Sequence, residues 1–99
     1  MIRHEFHPEA LAAYEAAAHF YAARQTDLKL RFIAAMEDAI AGVCEAPDRG
    51  RIFDGGEVRR VLTRVFPYGI LYTIEPEYVL IVAVAHCSRE PRYWRDRLA

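Results

Sequence analysis

Lysine is nearly missing from this chain of 99 residues: Lys29 is the only one among 13 basic side chains, and every basic residue of the second half is an arginine. Such a surface presents planar guanidinium forks, which match carboxylate and phosphate oxygens in pairs. Cysteine is scarce as well. Cys44 and Cys87 lack a C-x-x-C spacing, so neither a redox motif nor a metal knuckle is expected and both thiols should be reduced. The longest strongly apolar run, residues 79–85, holds seven residues, where a spanning helix needs about 20. Residues 1–5 show no signal-peptide pattern, so a cytoplasmic protein without a membrane partner is the expectation. There is no internal repeat, no low-complexity segment, no Gly-rich phosphate loop, no H-E-x-x-H and no G-x-S-x-G, and hence no motif for a common cofactor or hydrolase. His4, His7, His19 and His86 are scattered along the chain, so no cofactor and no metal site are expected.

What is present is an ordinary core-forming composition, 54% hydrophobic and 27% charged. That predicts one globular domain over residues 1–99, too small to spare its core for a deep cavity. A shallow surface site or a protein partner fits better. The net charge of -1 hides an asymmetry: residues 1–48 carry 4 basic against 8 acidic side chains, residues 49–99 carry 9 against 6. The chain is therefore an acidic half followed by an arginine-rich half.

Residues 2–6 alternate as a short strand. Pro8 and Glu9 suit the first turn of a helix with an inward stripe of Leu11, Tyr14, Ala18 and Tyr21. Thr26 and Asp27 read as the cap of a second helix bearing Phe32, Ile33, Met36, Ile40 and Val43, which Pro47 stops. Residues 45–56, with Pro47, Gly50, Gly55 and Gly56, read as a connecting loop. Three strands are predicted next, over 57–65, 69–74 and 79–86, joined by short turns into an antiparallel meander with the third buried on both faces. The tail from Cys87 is polar and arginine-rich, with Tyr93, Trp94 and Leu98 as candidate anchors. The predicted order is β-α-α-β-β-β, an α+β domain with a helical hairpin on one face of an antiparallel sheet.

Arg59, Arg60 and Arg64 on the first meander strand, and His86, Arg89, Arg92 and Tyr93 after the last, form the one chemically suggestive cluster. If they share an edge, the guanidinium groups and the imidazole could hold a phosphate or an acidic partner. They could also serve a metal-independent ribonuclease, with arginine on the phosphorane and His or Tyr moving protons. The alternative is a set of solvated arginines paired with Glu57, Glu75, Glu77, Glu90 and Asp96. His86 is either a proton carrier or a strand-closing residue. The aromatics Phe66, Tyr68, Tyr72 and Tyr78, with Tyr14, Phe20 and Tyr21 at the helix-sheet seam, read as packing.

Taken in order, His7-Pro8-Glu9-Ala10, Arg59-Arg60-Val61-Leu62, residues 66–72 (FPYGILY), Ala83-Val84-Ala85-His86 and residues 89–94 (REPRYW) resemble the RelE/ParE superfamily of toxins from type II toxin-antitoxin modules. The resemblance spans nearly the whole chain. It implies a helical hairpin on an antiparallel sheet, and a growth inhibitor held inactive by a cognate antitoxin in a module of the plasmid-stabilising kind.

The branches of that superfamily imply different chemistry. The RelE-like branch implies ribosome-dependent cleavage of messenger RNA; Arg60 stands at its basic strand position and Tyr93 at its C-terminal tyrosine. Gly69 and Cys87 stand where that branch has arginines, with Arg89 as a substitute if the match slips near Cys87. The ParE-like branch, which binds DNA gyrase and lacks that catalytic set, is the nearer one. On that reading Arg59, Arg60, Arg64, His86, Arg89, Arg92, Tyr93 and Trp94 are contacts to target or antitoxin, and no residue need be catalytic. A relative that merely binds antitoxin is a further alternative. An acidic antitoxin segment would suit a groove or open strand edge of the positive half, and the antitoxin would supply the operator binding that a charge of -1 does not.

Overall fold

The computed structural model describes residues 1–53, 55–89 and 93–98. Strand β1 (Arg3–Phe6) leads into helix α1 (Pro8–Arg24), and α2 (Thr26–Glu45) follows after the single residue Gln25. A 3-10 turn (Pro47–Arg49) precedes β2 (Arg51–Phe53), β3 (Val58–Leu62), β4 (Tyr68–Ile74) and β5 (Tyr78–His86), and a second 3-10 turn spans Arg95–Leu98. The strands make one sheet in the order β1-β5-β4-β3-β2. Pairing is antiparallel from β2 to β5, while β1 joins β5 in parallel. This is the α+β hairpin-on-sheet architecture that the periodicity predicts, with β5 flanked on both sides.

Helix α1 starts where expected because Pro8 fills its first turn and the Nδ1 of His7 accepts the Glu9 N–H at 3.1 Å. Its buried stripe is Ala10, Tyr14, Ala17 and Ala18. Leu11 and Phe20, expected at the seam, are instead 41% and 47% exposed. Alanines draw the neighbouring elements close and shift the buried stripe to their own side of the helix. Thr26 lies within α2 and Gln25 holds the cap position without a side-chain bond, because the link is too short for a separate cap. Phe32, Met36, Ile40 and Val43 are buried as predicted.

Two strand boundaries depart from expectation. The predicted loop 45–56 contains β2, paired antiparallel through Arg51 with Arg60, Ile52 with Arg59, and Phe53 with Val58. Gly55 and Gly56, at φ of +83° and +91°, help turn the chain back into β3. Strand β3 stops at Leu62 rather than running to Val65. The Thr63 hydroxyl donates to the carbonyls of Phe66 (2.9 Å) and Tyr68 (3.2 Å), and the Phe66 N–H closes a three-residue turn on the Arg64 carbonyl (2.8 Å). Val65, at its centre, has φ of +73° and is 86% exposed. A β-branched side chain in that region is strained, and it points to solvent instead of joining Val61.

The helices cover one sheet face, where Ile70, Ile81 and Val84 meet Phe32, Met36 and Tyr14. Rings of Tyr21, Phe32, Phe66 and Tyr68 fill the end of that layer at centroid distances of 5.0 to 6.3 Å. Ile81 and Val84 are three residues apart and could not share a face of a regular strand. A register shift in the β4–β5 ladder skips Val82, so Val82 and Ala83 both turn to the opposite face. There they pack with Val58, Leu71 and Trp94, and Trp94 is 1% exposed. The Val82 carbonyl takes a hydrogen bond from Nη1 of Arg97 at 2.9 Å. The tail therefore closes the second face through Trp94, as expected, whereas Leu98 is 37% exposed.

Tyr72 ties the 47–50 turn to the sheet. Its fully buried side chain donates to the Pro47 carbonyl at 2.6 Å and accepts the Gly50 N–H at 3.0 Å. A Cβ at Gly50 would lie 2.4 Å from the Tyr72 hydroxyl, so this close approach requires glycine.

Trp94→Ala should cost roughly 3–5 kcal/mol by emptying the second face, measured by urea unfolding. Burial pushes the phenols of Tyr14, Tyr68 and Tyr72 above the ordinary tyrosine range. The folded state thus favours the protonated phenol, and the unfolded chain ionises first, near pH 10. Stability should hold below about pH 10 and fall as pH rises beyond it. Tyr72→Phe should lose about 1–3 kcal/mol at neutral pH and show a shallower alkaline decline in the same unfolding assay.

Candidate functional site

Strand pairing dictates which predicted site residues meet. Val58 and Arg60 lie on the tail-covered face of β3, and Arg60 stands opposite Leu71 of β4. Gly69 stands opposite Ala85 of β5, and the chain then turns at Cys87, whose N–H bonds the Pro67 carbonyl at 2.8 Å. These positions and the returning tail enclose a basin of about 140 Å³ lined in part by Arg60, Gly69, His86, Cys87, Arg89 and Tyr93. Five predicted residues, Arg60, His86, Arg89, Tyr93 and Trp94, line it, from one strand, one strand end and the tail.

Each cation in the basin is held by an aromatic face. The Arg60 guanidinium carbon lies 5.1 Å from the centre of the Phe53 ring, and that of Arg89 lies 4.0 Å from Tyr93. Arg97 approaches Tyr93 too, at 5.1 Å, with its Nε 3.8 Å from a carboxylate oxygen of Glu9. Such stacking leaves the guanidinium edges available for an anion.

His86 ends β5 at the margin of the basin, but it stands opposite Tyr68 in the β4–β5 ladder, so its ring lies on the helix-covered side of the sheet. It stacks edge-on with Tyr68 at 5.4 Å, and its Nδ1 accepts the Ser88 backbone N–H at 3.1 Å with the Ser88 hydroxyl at 2.8 Å. A backbone N–H can only donate, so the neutral ring carries its proton on Nε2. Its Nε2 is therefore a hydrogen-bond donor.

The remaining predicted residues go elsewhere. Nη1 of Arg59 donates to the carbonyls of Asp48 (3.1 Å) and Gly50 (2.8 Å), which holds the 47–50 turn. Arg64 lines a separate cleft between α2 and the β2–β3 edge. Trp94 is buried beneath the basin rather than presented at the surface. Arg92 lies outside the described residues.

Both positions at which the resemblance leaves an arginine out, Gly69 and Cys87, line this basin. A Cβ on Gly69 would touch Cδ of Arg60 at 3.4 Å, so Arg60 lies across the space a longer side chain would take. Cys87 is an exposed free thiol, whereas Cys44 is buried with Sγ 3.8 Å from Nδ1 of His4, and burial raises its pKa. Among the described residues no group of three or more His, Cys, Asp or Glu side chains could hold a metal ion, and no helix is long and apolar enough to cross a membrane. Periodicity gave no sign of Phe53 or Arg97. The Arg97 spacing, three residues beyond Trp94, is the single cue that both could face the sheet.

The fold is shared with a solved toxin-antitoxin structure, described as the chromosomal ParDE TA system from P. aeruginosa: TM-score 0.76 at 13% identity, covering 87% of this chain and 96% of that one. No curated protein matches the sequence significantly. The family model for the ParE toxin of the type II toxin-antitoxin system, parDE, matches residues 4–91. The chain belongs to that family of ParE toxins.

Long-range proton-nitrogen NMR, at a pH well above the ordinary imidazole range, should find the His86 ring protonated on Nε2 with Nδ1 as acceptor. A proton on Nδ1 would contradict the Ser88 contact.

Proposed function

We propose that this chain is a growth inhibitor neutralised by a cognate antitoxin, and that it acts by binding DNA gyrase rather than by cutting RNA. The reading rests on Gly69 and Cys87, which line the basin at the two positions where the RelE-like resemblance has arginines, so the cationic set expected of a ribonuclease is incomplete there. The polar groups that line the basin are held on rings. Tyr93 is stacked by Arg89 and Arg97, and Arg60 lies on Phe53. These contacts build a fixed donor surface of guanidinium N–H groups, suited to carboxylates on a protein target. The family match supports the toxin role and the antitoxin partner; the gyrase target follows from the resemblance to the ParE-like branch.

The purified chain, freed of antitoxin, should block gyrase supercoiling, and Arg60→Ala or Arg89→Ala should each raise the half-inhibiting concentration by about tenfold. Normal supercoiling at saturating toxin would reject gyrase as the target. Primer extension on translated messages is the complementary measurement. New cleavage sites that disappear in Tyr93→Phe would overturn the binding mechanism in favour of a ribosome-dependent endoribonuclease.

A further inference from the structure

Among the described residues no strand pairs with the outer side of β1. The His7 N–H bonds the Ile81 carbonyl at 2.9 Å, and the peptide groups of a strand point alternately to its two sides. The odd residues of β1 therefore turn their N–H and C=O groups toward β5, and those of His4 and Phe6 point away from the sheet. An open edge of this kind is a template for another chain, and proteins commonly guard it with charge.

The charges on this edge are ordered so that a second copy is not repelled. Arg3 and Glu5 are exposed on the face of Tyr78 and Leu80. The Arg3 guanidinium carbon lies 5.0 Å from the centre of the Tyr78 ring, and its Nη1 pairs with Glu5. Ile2, His4 and Phe6 are half-buried on the helix-covered face, Ile2 against Val43 and Val79, His4 beside Cys44, and Phe6 against Tyr14. Residues 2–6 (IRHEF) thus carry a base before His4, an acid after it and an apolar residue at each end. Rotated about a two-fold axis at His4, the segment complements itself. Arg3 falls opposite the partner's Glu5, Glu5 opposite the partner's Arg3, and Ile2 opposite the partner's Phe6.

Backbone geometry selects the same register. The outward peptide groups of His4 make it a hydrogen-bonded pair with its own copy. Arg3 and Glu5, whose peptide groups face β5, then occupy the flanking non-hydrogen-bonded positions, where opposite Cα atoms are about 4.5 Å apart and side chains approach most closely. Each Arg3 gains a second carboxylate beside its own Glu5, and the four charges alternate in sign around the axis.

We infer that this chain forms a two-fold dimer with a second copy of itself by antiparallel pairing of β1, which joins two five-stranded sheets into one. The helices of both copies lie on the same face of the joined sheet. Residues 2–6 are absent from the lining of the basin, and the dimer does not depend on the identity of the toxin's target. So short an edge buries less area than a stable interface, which sets Kd on the order of 100 µM.

Sedimentation equilibrium of the full chain, free of antitoxin, tests this from about 10 µM to about 1 mM. Arg3→Glu gives an edge with two acids and Glu5→Arg one with two bases. The axis doubles each change, so either variant alone should self-associate more weakly by about tenfold or more. Mixed one to one, the variants set acid against base at both charged positions, and association should return. Amide hydrogen exchange of the unaltered chain should slow at His4 and Phe6 as concentration rises. Circular dichroism keeps lost folding apart from lost pairing. Three results would overturn the dimer: a monomer at the highest concentration, self-association that both variants leave unchanged, or a mixture no more associated than its components. Protection of His4 and Phe6 that appears only on adding antitoxin would assign the edge to the antitoxin and likewise refute the inference.

Discussion

A sheet with one helical layer has a second apolar face, and in this protein the burial of Trp94 closes it. Everything at the functional end depends on that closure. The indole packs on Val58, Leu71, Val82 and Ala83, and Arg97 caps the carbonyl of the residue at which the β5 ladder slips. The slip is what lets β5 serve both layers, with Ile81 and Val84 toward the helices and Val82 and Ala83 toward the tail. A tail anchored at two points delivers Tyr93 to the rim of the basin beside Arg60 and His86. Core packing and site geometry are thus one problem, and a small protein with little spare stability solves both with the same few residues.

The arginine bias acquires a structural meaning on this frame. Arg59 and Arg97 direct guanidinium donors to backbone carbonyls, Arg60 and Arg89 lie on aromatic rings, and Arg49, Arg51 and Arg64 line a cleft. A lysine would make a poor substitute in the first two groups, where a planar fork or a stacked face does the holding. The acidic half sits largely on the outer helical surface, so the near-zero net charge describes no single face of the molecule.

The helices and the three long strands were legible because their periodicities run for many residues. Strand β2 was not: Arg51–Phe53 is three residues long and follows a proline-and-glycine turn, so its local signals are those of a loop. The end of β3 was missed for a different reason. Val61, Thr63 and Val65 alternate as a strand should, but the Thr63 hydroxyl recruits the carbonyls of the next turn and breaks the ladder. For the site, the meeting of Arg60, Arg89 and Tyr93 follows from meander topology and could be anticipated, whereas the His86 ring turns to the other face with Tyr68. That neighbouring arginines part company could not, because the fates of Arg59 and Arg64 depend on a turn and a cleft assembled from distant residues.

The parallel pairing of β1 with β5 joins the first strand of the fold to the last: Arg3 stands beside Tyr78 and Phe6 beside Ile81. No nearer segment can replace that partner, since β1 is an edge strand with β5 as its single neighbour. A chain emerging from the ribosome must therefore carry β1 unpaired until β5 has been made, and loop closure over that span is slow. The finished sheet, and with it the basin that β5 and the tail complete, can form only after β5 and the tail have been made. A cell making this protein thus has the interval of its synthesis in which the chain exists but its functional surface does not.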